Sequence, residues 1–195
     1  MHFCTRRSLS ILTCFLFLFL SGCSNNPSAD PSIFRMSIKN EPPTLDGTLA
    51  TDSVSFTILT NLMEGLTQYD ADLNPIPAVA KRWSYSNEGQ TITFYLRNDV
   101  YWSDGKRVTA NDFEYSWKRL LAPETAAQYA YFLFDIKNAS EYNSGVIKDR
   151  DEVGVRAIAS DILEVTLKKP VVYFSSITTF MVTFPLRQDI VEKYG

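Results

Sequence analysis

Short apolar segments that flank compact turns constrain the fold of this 195-residue chain most strongly. Residues 83–86 with 91–96, and residues 153–158 with 162–167, form two such pairs, and each pair favours an antiparallel hairpin. Residues 67–69 are a further strand candidate. Because strands and helices do not alternate in a βαβαβ order, the sequence predicts an α+β fold and not a doubly wound parallel sheet.

Apolar residues at helical spacing mark the helices. A helix is predicted to begin near Ser53, with Asp52 or Ser53 as its cap. Residues 109–112 have the form of a capping box and precede an apolar stripe that includes Trp117. Further helices are predicted over residues 124–139 and around residues 173–181.

The amino terminus has the features of a secretory leader. Two arginines precede an apolar run at residues 11–20, which is too short to span a bilayer core that needs about 20 apolar residues. Leu-Ser-Gly-Cys at residues 20–23 resembles the lipobox of bacterial lipoproteins. The resemblance implies cleavage before Cys23 and attachment of lipid to its thiol. An ordinary signal peptide with an incidental cysteine is the alternative.

Removal of such a leader restricts the chemistry of the chain. His2, Cys4 and Cys14 would leave with it, so that no histidine and one cysteine remain. Ser-His and Cys-His nucleophiles and His- or Cys4-ligated zinc sites are therefore excluded. The chain has 22 acidic against 19 basic residues, which disfavours nucleic acid as a partner. No glycine-rich phosphate loop occurs, and no cofactor is implied.

Carboxylates and aromatic residues each allow two interpretations. Glu41 with Asp46, or the acidic cluster at residues 149–152, could form an acid-base pair or a cation site, but turn residues and a solvated loop explain them more simply. Three tryptophans, Trp83, Trp102 and Trp117, and the aromatic run at residues 129–134 could stack on a ligand. We expect most of these residues, Trp117 among them, to belong to the core, and the dense run to cover another lobe or a cleft.

Several motifs in a fixed order resemble one family. They are Glu-Pro-Pro-Thr-Leu-Asp at residues 41–46, Glu-Gly-Leu-Thr-Gln-Tyr-Asp at 64–70, Val-Tyr-Trp-Ser-Asp-Gly at 100–105 and Val-Thr-Ala-Asn-Asp-Phe-Glu-Tyr-Ser-Trp-Lys-Arg at 108–119. Together they resemble the oligopeptide-binding proteins of family 5 of the extracellular solute-binding proteins, which are the receptors of peptide ABC importers.

The resemblance implies a two-lobed protein with an added small domain that closes on an extended peptide. It also implies that the backbone of Thr51, Asp52 and Ser53 contacts the peptide, whereas a plain loop and helix cap is the alternative for these residues. We expect a partial periplasmic-binding-protein-like fold with the second lobe missing. Its expected parts are a signal peptide at residues 1–22, a flexible tether at 23–32, the first strand and loop of lobe I at 33–46, the extra α+β domain at 47–168, and the start of the return into lobe I at 169–195.

The expected function follows from this resemblance. It is a monomeric, lipid-anchored receptor component for oligopeptide uptake, located in the periplasm or cell envelope. Its partners would be the peptide, the ABC permease subunits and the membrane, and it would catalyse no reaction. The alternative is a truncated surface lipoprotein with a structural or adhesive role.

Overall fold

A computed structural model describes residues 32–194 of the chain. The predicted signal peptide, Cys23 and nearly all of the predicted tether lie outside the described residues. The chain divides into two units, Met1–Ser37 and Ile38–Gly195. Within the described part, no helix has both the length and the apolar character that crossing a membrane requires.

The second unit contains the helices and strands described here. In chain order they are α1 (Ser53–Leu62), β1 (Thr67–Tyr69), β2 (Pro75–Pro77), β3 (Ala80–Ser86), β4 (Thr91–Leu96), α2 (Ala110–Leu121), α3 (Ala139–Asn143), β5 (Val155–Ala159), β6 (Ile162–Thr166), α4 (Phe174–Ile177) and α5 (Gln188–Tyr194). Short 3-10 turns occur at Asn87–Gly89, Pro123–Thr125, Ala130–Leu133, Arg150–Glu152 and Met181–Thr183.

Both predicted hairpins are confirmed. The strands β3, β4, β6 and β5 form one antiparallel sheet in that order, and β4 pairs with β6 so that Thr91 lies opposite Thr166. β1 and β2 form a separate two-stranded sheet. The sequence did not predict β2, because Pro75 and Pro77 lack the N–H donors of an ordinary strand.

One face of the four-stranded sheet packs on α2. Alternate side chains of β4 and β6 are fully buried, as expected for strands with one face in the core. They meet the apolar stripe of α2, which comprises Phe113, Trp117, Leu120 and Leu121. The predicted capping box is confirmed, since the N–H of Thr109 donates to the Asp112 carboxylate at 2.7 Å. This local signal fixes where the central helix begins.

Two predicted elements are not formed. The helix predicted over residues 124–139 is wrong, because Ala126 and Asn138 have left-handed backbones, with φ of 49° and 63°, that interrupt helical winding. The first strand of lobe I, expected within residues 33–46, is also not formed. In the described part of the chain, residues 33–38 are exposed and adopt no regular secondary structure.

The core extends beyond residue 168. The helix predicted around residues 173–181 is a short α4 followed by a 3-10 turn, and Phe174 and Val182 are buried in the same core as α2. The Trp117 indole N–H donates to the carbonyl oxygen of Thr183 at 2.8 Å, and the Ser116 hydroxyl donates to that of Phe184 at 2.6 Å. These contacts join the tail to α2, while the division of the chain at residue 168 into domains stays a prediction.

Candidate functional site

The segment before α1 begins with a compact turn built around Asp46. Its carboxylate oxygen Oδ1 accepts the N–H of Thr48 at 2.9 Å, and its carbonyl oxygen accepts those of Leu49 at 3.0 Å and Ala50 at 2.9 Å. Thr48 and Ala50 are buried. The interpretation of Asp46 as a turn residue is therefore confirmed.

Asp46 also forms an ion pair that the sequence did not indicate. The Arg119 guanidinium donates from Nη1 to Oδ1 at 3.0 Å and from Nη2 to Oδ2 at 2.7 Å. The two side chains are 18% and 23% exposed, so the pair is largely shielded from water. This bidentate contact connects the turn to the last turn of α2, and bidentate pairs fix geometry more strictly than single hydrogen bonds do.

Asp52 caps α1, as one of the two predicted alternatives. Its Oδ1 accepts the N–H groups of Val54 and Ser55, both at 2.9 Å, and its Oδ2 accepts the Ser55 hydroxyl at 2.6 Å. The hydrogen bond from the Ser55 hydroxyl, together with that from its N–H, lowers the pKa of Asp52. The cap satisfies donors that a helix would otherwise leave without partners.

Thr51 and Ser53 present unused main-chain groups between the turn and the helix. Among residues 32–194, the N–H and C=O of Thr51 and the N–H of Ser53 make no hydrogen bond. Both residues are exposed, and Asp52 between them is extended, with φ −118° and ψ 157°. Because residues i and i+2 of an extended chain point their main-chain groups to the same side, this segment can pair with an added extended chain. The role of these residues as ligand contacts stays a prediction.

A cluster of aromatic side chains lies beside α1. Phe56 of α1 contacts Tyr129 and Phe180, with ring centroids 5.9 and 5.7 Å apart, and Phe132 lies 4.7 Å from Phe180. Tyr131 stacks on Phe132 at 4.8 Å and is 55% exposed. The run at residues 129–134 is therefore only partly buried, while Trp117 is in the core as predicted. The sequence did not reveal Phe56 and Phe180 as members of the cluster, since they are distant in the chain.

The described residues include no group of three or more His, Cys, Asp or Glu side chains that is arranged to hold a metal ion. The carboxylates near the segment are instead used within the protein, Asp46 by Arg119 and Asp52 by α1. The segment therefore offers hydrogen bonds from its main chain.

Comparison with known proteins identifies the family. Residues 74–194 match the model of the bacterial extracellular solute-binding proteins, family 5 Middle. The oligopeptide-binding protein OppA of Bacillus subtilis is 39% identical over 173 residues, which are 89% of this chain and 32% of that protein.

Solved structures agree with this match. The substrate-binding domain of an oligopeptide ABC transporter from Bacillus anthracis superposes with a TM-score of 0.79 at 42% identity, over 82% of this chain and 31% of that one. Listeria monocytogenes OppA bound to peptide gives a TM-score of 0.75 at 38% identity, over 78% and 30% of the two chains.

This chain thus spans about a third of the length of the relatives it matches. Those relatives are solute-binding proteins and not enzymes, and the α+β fold corresponds to part of theirs. The resemblance predicted from the motifs is confirmed, and the chain belongs to the bacterial extracellular solute-binding proteins of family 5.

Proposed function

We propose that this chain is a receptor component for oligopeptide uptake by an ABC transporter, and that Thr51, Asp52 and Ser53 contact the peptide through their main chain. The observation that carries the proposal is the exposed, unpaired backbone of this segment in a family 5 chain. A relative that is 38% identical has been solved with peptide bound, which supports a peptide as the ligand.

The proposed contact is the addition of a strand. The Thr51 N–H would donate to a peptide carbonyl, and the Thr51 C=O would accept a peptide N–H, as in other cases of β-augmentation. Every peptide carries the same main-chain groups. Recognition of this kind therefore tolerates many side-chain sequences, which suits a receptor for nutrient peptides.

Membrane attachment is the second part of the proposal. The thiol of Cys23 would carry lipid, and several acyl chains give durable anchoring because each buried CH₂ contributes about 0.8 kcal/mol. The chain would then act in the periplasm or cell envelope and deliver peptide to the permease subunits of the transporter. The lipobox at residues 20–23 supports this part.

Calorimetric titration tests peptide binding. The chain in lipid nanodiscs is titrated with tri- to pentapeptides of varied side chains, and then with the same peptides N-methylated on their backbone amides. We expect saturable binding that varies little with side chain and is lost on N-methylation, because methylation removes the donors that pair with Thr51. Absence of binding by a sample that melts cooperatively would contradict the proposal and favour a structural or adhesive lipoprotein.

Metabolic labelling tests the anchor. We expect labelled palmitate to enter the wild-type chain and to be absent from Cys23→Ser, since only the thiol of Cys23 follows the lipobox pattern. Cys14→Ser is the matched control, because Cys14 lies in the apolar run and its substitution should leave labelling unchanged. Equal labelling of Cys23→Ser and wild type would disprove lipid attachment at this residue.

A further inference from the structure

Arg119 is connected to the segment at residues 51–53 through Asp46. It lies on α2, contacts Asp46 through two hydrogen bonds, and is not itself part of the exposed segment at residues 51–53. A guanidinium matches a carboxylate with two parallel donors, and a lysine in its place could supply only a point charge. The contact therefore sets the orientation of Asp46 as well as its distance from α2.

Asp46 in turn fixes the conformation of the residues that follow it. Its carboxylate and carbonyl oxygens together accept three N–H groups of residues 48–50. Ala50, the last of these residues, is fully buried and directly precedes Thr51. The position of the Thr51 main chain is thus fixed on one side by Asp46 and on the other by the α1 cap.

We infer that Arg119 is a positioning residue for peptide binding: its ion pair with Asp46 holds the turn that presents the main chain of residues 51–53. This inference rests on the proposed function. A segment held in its bound conformation loses less conformational entropy when the ligand binds, so affinity rises without any added contact. Arg119 would then affect affinity although it does not touch the peptide.

Lys118 supplies a matched control on the same helix. It is only 3% exposed, and its Nζ pairs with Glu114 at 2.6 Å and Asp151 at 2.7 Å. Within residues 32–194, it makes no hydrogen bond to the turn at residues 46–50. Loss of its charge leaves two carboxylates without their partner and destabilises the fold, but it does not release the turn.

Amide hydrogen exchange on the full-length chain gives a readout that does not depend on ligand. In Arg119→Lys we expect the amides of Thr48, Leu49 and Ala50 to exchange about tenfold faster, the scale of one charge-assisted hydrogen bond, while those of β4 stay unchanged. In Lys118→Met we expect faster amide exchange near Asp151, while the amides of Thr48, Leu49 and Ala50 keep their wild-type rates. Unchanged exchange of these three amides in Arg119→Lys, or an equal increase in Lys118→Met, would overturn the inference.

Peptide titration of the same variants completes the test. We expect Arg119→Lys to bind about tenfold more weakly and Lys118→Met to bind within about twofold of the wild type. Equal affinity of wild type and Arg119→Lys would overturn the role in binding. Absence of binding by the folded wild-type chain would instead refute the proposed function, and the exchange experiment would still decide whether Arg119 holds the turn.

Discussion

Asp52 combines two roles at the start of α1. Its carboxylate caps the helix through the N–H groups of Val54 and Ser55 and accepts the Ser55 hydroxyl, and it stands between the two residues whose main chain is exposed. A negative charge is favourable at this end of a helix, where the unpaired N–H groups carry partial positive charge. The charge state of Asp52 should therefore affect the order of the whole segment.

The depressed pKa of Asp52 predicts a pH dependence of stability. Because the folded pKa lies below the ordinary value of 3.8, the stabilisation is fully present above 3.8 and is lost as the pH falls through the folded pKa. We expect Asp52→Asn to lower the melting temperature at pH 7 and the difference from wild type to shrink below pH 4, measured by circular dichroism.

Asp72→Asn is the control for this prediction. Asp72 is exposed, and its carboxylate accepts no hydrogen bond in the part of the chain that the structure describes. Its substitution should leave the melting temperature unchanged, both at pH 7 and below pH 4. A difference between wild type and Asp52→Asn that persists undiminished at pH 2 would show that the carboxylate charge does not stabilise the cap.

Single residues with local signals could be predicted, and those with distant partners could not. The caps at Asp52 and Thr109 depend on residues within one helical turn, so their spacing is visible in the sequence. Arg119 and Asp46 are separated in the chain by α1, the strands β1 to β4 and most of α2. Asp151 lies in the predicted solvated loop and is 75% exposed, yet it pairs with the buried Lys118, which no local pattern shows.

Among the elements, α5 is attached mainly by charges. None of its residues is buried, while Arg187, just before it, donates to Asp104 at 2.8 Å and to Asp189 at 2.6 Å. Lys106 also pairs with Asp189 at 2.8 Å. The hydrogen bonds from Arg187 and Lys106 hold the pKa of Asp189 well below its ordinary value. The turn at residues 103–105 and α5 are thereby joined by a small ion-pair network.

We expect Arg187→Met to release α5 from this network. Amides of α5 should exchange several-fold faster, while those of β4 and α2 keep their wild-type rates. Lys193→Met is the control, because Lys193 lies on the same helix and its ammonium contacts only the ring of Tyr194 among the described residues. Sodium chloride at 1 M should reproduce part of the effect in the wild type, since exposed ion pairs are screened. No change in either condition would mean that α5 is held by other contacts.

Elements with a clear period were predicted well. The strands β4 and β6 and the amphipathic α2 show alternation or helical spacing over their whole length. The segment at residues 124–139 is rich in helix-forming residues, but left-handed backbones at Ala126 and Asn138 break it into short turns. Propensity alone does not reveal such breaks, because tertiary context overrides it, and the short turns bury Leu133 and Ile136 in the core.

For the whole molecule, the motifs identified the family and much of the fold, but not which earlier residues the tail packs against. Residues 38–195 are one compact unit. Phe174 lies beyond the predicted boundary at residue 168, yet it is fully buried, with its ring centroid 6.1 Å from that of Trp117. The tail has an apolar pattern but no signal of what it packs against, and that contact is made by residues far earlier in the chain.

The strand order has a consequence for the growing chain. β4 lies between β3, which directly precedes it, and β6, which follows only after α2, α3 and β5. A ribosome synthesises the chain from its amino terminus. The main-chain donors and acceptors along one side of β4 therefore stay unpaired until β6, Ile162–Thr166, has been synthesised. An unpaired strand edge attracts other chains. A chain whose synthesis stops before β6 would keep an unpaired, aggregation-prone edge on β4. During synthesis, the nascent chain therefore depends on protection of this edge from contact with other chains.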